Sequence, residues 1–186
     1  MRPRIMTEMR YTSSLFVRCI KEMEVRSFSS GEHGPVTVYG QIGSPYTRKV
    51  EAALRYKQIP FIKKDLMPGN VGGDWEDRGL SKIVPKVIPV VKFNDGTLMN
   101  DSTKILQDLD RRYTDRPILP KDKGERFLSL LLEDMFDEWG TKIMFGMRWL
   151  DKIDQDWSGT WLALDSMLGK GVKLDQVNKV RFGPGQ

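Results

Sequence analysis

Apolar positions along the 186-residue chain fall into short runs and long stripes. "VTVY" (36–39) is short, β-branched and aromatic, which predicts a buried strand. Gly40 to Gly43 make a loop. In the following stretch Tyr46, Val50, Ala53 and Leu54 recur at helical spacing, with Arg48, Lys49 and Glu51 elsewhere. Ser44 suits the N-cap of that helix, and Pro45 suits its first turn, where a missing N–H is no loss. Pro60 closes the helix, and "FIKKDL" (61–66) predicts a second strand. Gly69, Gly72, Gly73 and Gly79 leave room only for a short helix from about Trp75 to Lys82. "KVIPVVKF" (86–93) and "TLMN" (97–100) flank the turn "NDG" (94–96), the residue types a hairpin favours. "DSTKILQDLDRRY" (101–113) puts Ile105, Leu106, Leu109 and Tyr113 on one helical face, capped by Asp101 or Ser102.

The resulting order is β-α-β-α-β-β-α over 36–113, a parallel crossover followed by an antiparallel hairpin. "TDRPILPKDKGE" (114–125) reads as a linker. In 126–150, Phe127, Leu128, Leu131, Met135, Trp139, Ile143, Met147 and Leu150 keep to steps of three and four. That predicts one long helix, with a further one over about 157–168 and a loose tail in a helical part, 126–186. The stripe, with Met144 and Trp149, reads as helix-packing core, or as the wall of a substrate pocket.

Composition narrows the function classes. Apolar residues make up 39% and charged residues 30%, enough for a core. No run of about 18 apolar residues predicts a membrane span. The net charge of +5 is spread without a basic run or a nucleic-acid motif, so the expectation is a solvated surface that attracts small anions, not nucleic acid. A single cysteine, Cys19, excludes a disulfide framework and a cysteine metal cluster. The single histidine, His33, reads as a loop residue. Residues 1–35 carry Arg2, Arg4, Arg10, Arg18 and Arg26 among Ser and Thr, with "RSFS" offering a cut after Phe28. That suggests a mitochondrial transit peptide. Glu8, Glu22 and Glu24 depart from that pattern, and the alternative is a disordered extension on a cytoplasmic protein.

Pro89 interrupts an apolar β run, which points to an edge, a bulge or a cis turn. Taken with "VTVYGQIGSPYTRKVEAAL" and "LMNDSTKIL", "KVIPVVKFNDG" resembles the glutathione S-transferase superfamily in content and order. The resemblance implies a thioredoxin-like, glutathione-binding domain over 36–113 and a shortened all-helical domain after it. It implies that Ser44 donates a hydrogen bond to the glutathione sulfur. It also implies that Ile88, before a cis Pro89, pairs with the cysteinyl backbone, that Asp101 and Ser102 hold the γ-glutamyl end, and that Lys86 faces the glycyl carboxylate. The implied co-substrates are glutathione and a small hydrophobic electrophile or peroxide, and the exposed apolar helix face of a shortened helical domain would favour a homodimer. From the residues alone, Ser44, Asp101 and Ser102 read first as helix caps, with ligand binding the lesser reading. A non-catalytic scaffold of the same fold is the other reading. With no cysteine at 44 or 47, enzyme-centred disulfide exchange is excluded.

Overall fold

The computed structural model describes residues 35–69 and 74–167. The order is β1 (Val36–Tyr39), α1 (Pro45–Tyr56), β2 (Phe61–Lys64), α2 (Asp74–Asp77), β3 (Val90–Lys92), β4 (Leu98–Asn100) and α3 (Ser102–Arg112). The helical part follows as α4 (Lys123–Met135), a π-helical turn (Phe136–Gly140), α5 (Thr141–Trp149) and α6 (Lys152–Met167). The expectations for the arginine-rich N-terminal segment and for the C-terminal tail lie outside the described residues.

β1 runs parallel to β2 and antiparallel to β3, and β3 pairs with antiparallel β4, giving the order β2-β1-β3-β4. This is the thioredoxin-like arrangement that the resemblance implied, on the element order that the pattern predicted. Alternation along each strand divides the core between the two faces of the sheet. Val36, Val38 and Val91 pack with Val50, Ala53 and Leu54 of α1 and with Ile105 and Leu109 of α3. Tyr39 and Val90 turn to the other face, against Leu66, Trp75 and Leu80. Each fully buried aliphatic side chain contributes about 2 kcal/mol of hydrophobic stabilisation.

Several elements are shorter than expected, each for a local reason. β2 stops at Lys64, two residues early, because its partner β1 ends at Tyr39. β3 begins at Val90 rather than at residue 86. Pro85 and Pro89 have no N–H for a ladder, and the intervening groups bond elsewhere: Gly69 N–H to Lys86 O and Val87 N–H to Pro85 O, both at 2.9 Å. β4 begins one residue late, since Thr97 is still in the turn, where its N–H reaches Asp95 Oδ1 at 2.8 Å. α2 lasts a single turn and does not reach Lys82. Gly79, at φ 70°, turns the chain out of the helix, and Leu80 N–H bonds back to Trp75 O at 2.7 Å.

The helical part departs more. The stretch predicted as one helix widens into a π turn at Phe136–Gly140, and α6 begins at Lys152, five residues earlier than expected. The linker ends sooner, at Asp122, which caps α4 by accepting from the N–H groups of Gly124 and Glu125. The apolar stripe is not a core. Trp139 and Ile143 are each 64% exposed and Leu150 is 81% exposed, while Met144 and Trp149 are half-buried. No helix among the described residues is long and apolar enough to cross a membrane.

One buried ion pair ties the linker to the sheet domain. Lys57, at the C-terminus of α1, has a fully buried ammonium 2.7 Å from Asp110 on α3. It also donates to the carbonyls of Asp115 and Arg116, at 3.2 and 3.1 Å. Asp110 accepts in turn from the N–H groups of Ile118 and Leu119. Burial alone raises the Asp110 carboxyl, but Lys57 and the two amides outweigh it and hold the group below its usual range. Asp95 on the hairpin is lowered to about 2, chiefly by the guanidinium of Arg112, then by the N–H and hydroxyl of Thr97.

Asp110→Ala should therefore lower the unfolding free energy by about 3 kcal/mol in urea titrations, because it strands a buried ammonium. Both carboxyls are lowered in the folded state, so their contribution is complete above the unfolded pKa near 4 and drains away as pH falls through their folded values, about 2 for Asp95. Asp110→Asn should flatten that part of the stability–pH curve.

Candidate functional site

Strand register sets the site. Tyr39 of β1 pairs with Val90 of β3, and Val90 pairs with Asn100 of β4. Neighbouring strands lie about 4.8 Å apart, so three chain segments meet at one end of the sheet within about 10 Å. These are the loop 40–43 leading to Ser44, the Ile88–Pro89 step entering β3, and Asp101–Ser102 leaving β4. Sequence reasoning had selected all three, and the fold brings them together. The Ile88–Pro89 peptide is cis, as the resemblance implied.

Ser44 caps α1. Its backbone is extended, at φ −85° and ψ 118°, and its Oγ accepts from Thr47 N–H at 3.2 Å. The first-turn donors are nearly used up. Ser44 N–H reaches Gln41 O at 3.3 Å, Pro45 has none, and Thr47 N–H is taken by the cap. Because Oγ acts as an acceptor here, its own proton stays free to donate. The two readings of Ser44, as cap and as donor to a ligand, are therefore compatible in one geometry. Thr47 is fully buried, and its hydroxyl makes no hydrogen bond. It packs on Gly40, where a Cβ has no space.

Asp101 sits at φ 74° and ψ 108°, outside the regions that residues with a Cβ ordinarily adopt. Its Oδ1 accepts from Thr103 N–H at 3.1 Å and Lys104 N–H at 3.4 Å, while Oδ2 lies 3.4 Å from Lys104 Nζ. Asp101 is thus the cap of α3, and Ser102, nearly buried, is its first residue. Lys86 is already engaged: its Nζ lies 3.2 Å from Glu76 and 5.3 Å from the Trp75 ring.

The helical part grips the same loop, which sequence reasoning missed. Asp165 on α6 accepts from Ile42 N–H at 3.1 Å and from Gly43 N–H at 2.6 Å. Arg148 on α5 donates to Gly43 O at 3.0 Å, and Gln41 donates to Ser166 Oγ at 3.1 Å. Burial lowers the pKa of Arg148, and the charge of Asp165 partly offsets this. One signal existed in the sequence: a lone carboxylate inside the apolar run "WLALDSML". A second contact lies beside it. Tyr46, expected as a core or pocket aromatic, is half-buried and donates its hydroxyl to Asp137 O at 2.9 Å, in the π turn. Lys49 pairs with Asp137 at 2.7 Å and with Glu133.

Residues 38–117 match the family model of the glutathione S-transferase N-terminal domain. The chain is 30% identical over 107 residues to glutathione S-transferase U4 of Arabidopsis thaliana, a match covering 55% of this chain and 44% of that protein. The Tau class glutathione S-transferase of mango, Mangifera indica, superposes with a TM-score of 0.51 at 24% identity, over 70% of this chain and 60% of that one. A glutathione S-transferase from Methylobacterium radiotolerans, in complex with glutathione sulfonate, gives 0.53 at 24% identity over 74% and 63%. These structural likenesses concern the fold. The chain spans about half the length of the curated relatives it matches.

Gly43 tests the grip directly. A Cβ there would stand 2.6 Å from Leu162 Cδ2 and 3.1 Å from the Trp161 ring. Gly43→Ala should cost about 2 kcal/mol in chemical denaturation, the usual penalty for overpacking, and adding Leu162→Ala should recover part of it.

Proposed function

We propose that the chain belongs to the glutathione S-transferase superfamily, binds glutathione at the sheet end described above and activates its thiol for attack on a hydrophobic electrophile or a peroxide. The observation that carries this reading is the register. It sets a hydroxyl at a helix N-terminus beside a cis-proline step and a helix-capping Asp-Ser pair, in the order found in the motifs of the family it resembles.

The chemistry needs no nucleophile from the protein. A free thiol ionises near pH 8.5, and only the thiolate is reactive. Lowering that pKa by two units takes about 2.7 kcal/mol. The N-terminus of α1 carries roughly half a positive charge, and Ser44 can add a charge-assisted hydrogen bond from its free proton. Together these effects are of the required size. Among the described residues Asp165, the carboxylate that meets the adjoining loop, is engaged by the Ile42 and Gly43 amides, so Ser44 is read as a donor and not as a nucleophile. The backbone of Ile88 offers hydrogen bonds to the cysteinyl unit. Asp101 Oδ2, whose present partner is the exposed ammonium of Lys104, can meet the γ-glutamyl ammonium, with Ser102 beside it. Lys86 would have to leave Glu76 to reach the glycyl carboxylate, so it is the weakest member of the set.

Ser44→Ala should reduce turnover with glutathione and a model aryl halide at least tenfold. Retention on immobilised glutathione should change little, because Ile88, Asp101 and Ser102 supply the binding. Intact chain that gives no heat with millimolar glutathione in calorimetry would remove the proposal.

A further inference from the structure

The loop between β1 and the Ser44 cap holds four residues, and a short connection passes any displacement on to the residue that follows it. Its internal bonding is thin: Ser44 N–H reaches Gln41 O at 3.3 Å, the long end of the hydrogen-bond range. The grip comes instead from a segment more than 100 residues away. Both main-chain polar groups of Gly43 are held, the N–H by Asp165 and the carbonyl by Arg148, and Ile42 N–H is held by the other Asp165 oxygen. Asp165 is 3% exposed. A carboxylate buried to that degree is costly unless its oxygens are met, and here two adjacent amides meet one oxygen each. Leu162 and Trp161, on the same helix, leave Gly43 no room for a side chain.

We propose that Asp165 is a positioning residue: by clamping Ile42 and Gly43 it fixes the loop that presents the Ser44 hydroxyl and the N-terminus of α1 to a bound thiol. This rests on the reading of the site given above. Asp165 does not touch the sulfur and acts through the loop. Two effects of removing it have opposite signs. Its negative charge near the site disfavours a thiolate, so charge loss alone lowers the thiol pKa. Loss of the clamp lets the cap drift and raises it.

The test reports the loop without using glutathione. In a full chain carrying Cys19→Ala and Ser44→Cys, the single thiol stands at the cap, and the pH dependence of its alkylation by iodoacetamide gives its pKa. We expect a value at least one unit below the ordinary 8.5. Asp165→Ala should raise it by about one unit and Asp165→Asn, which keeps one acceptor, by less, with the helical circular dichroism retained. Should the Ala variant not fold, the Asn variant carries the test. In the Ser44 chain, the acidic limb of kcat should move up by a similar amount, with little change in KM for glutathione. A cap-thiol pKa near the ordinary 8.5 before Asp165 is replaced, or one that is unchanged or lowered on replacing it, overturns the inference. If the introduced thiol responds as expected but the Ser44 chain is not retained on immobilised glutathione, the clamp stands and the choice of ligand fails.

Discussion

Three residues abreast, Tyr39, Val90 and Asn100, fix where every chemical group of the site can be. The pairing is set by inward valines on one side and by Tyr39 and Val90 on the other. A slip of one residue would send both sets to the wrong face. Because the strands are short, their ends are also the ends of the pairing. The chain leaves β1 at the start of the loop to α1, enters β3 at Pro89 and leaves β4 at Asp101. The site is what remains at a sheet end when the ladder stops on three strands at once. A cap, a proline and a strained aspartate each suit such a place for reasons of backbone alone.

Buried charges do a different task. Glu51 on α1 is almost fully buried and pairs with Arg48 and Arg55 on its own helix and with Lys63 on β2. Asp108 is held by Arg111 and Arg112, and Arg112 also pairs with Asp95 on the hairpin and lies over Phe93. Asp110 gathers α1, α3 and the linker, and Asp165 joins the first loop to the last described helix. Such pairs return little net stability once desolvation is counted, but breaking one is expensive. They therefore specify which segments lie together, in a chain where hydrophobic contact alone is less selective.

Legibility in the sequence followed the range of the interactions. Ser44-Pro45 and Asp101-Ser102 are visible because capping acts within three residues. The Asn-Asp-Gly turn is visible because its conformation is local, and one crossover and one hairpin give the β1–β2 and β3–β4 pairings, whereas the β1–β3 pairing that joins them is a long-range contact no local signal announces. The lengths of β2, β3 and α2 were misjudged because they depend on where a partner strand stops or where a carbonyl finds another amide. In the helical part the spacing was read correctly as helix and incorrectly as core. Trp139, Ile143 and Leu150 repeat as a buried face would, yet periodicity records only which residues share a side, not whether anything covers it. The π turn had Gly140 as its one local hint. The Asp165 contacts, across more than 100 residues, had only an acid out of place among apolar neighbours.

β2 lies at one flank of the sheet, with a single neighbour. Its outer row of amides and carbonyls is the kind of surface onto which a foreign strand can zip, the first step towards aggregation. The strand is four residues long and ends in Lys63 and Lys64. Lys63 is turned towards Glu51, and Lys64 lies 5.9 Å from the Tyr39 ring. An incoming β segment would find few rungs to bond and the exposed Lys64 at their end. A flank this short, closed by a charge, gives a second copy of the chain little to zip onto.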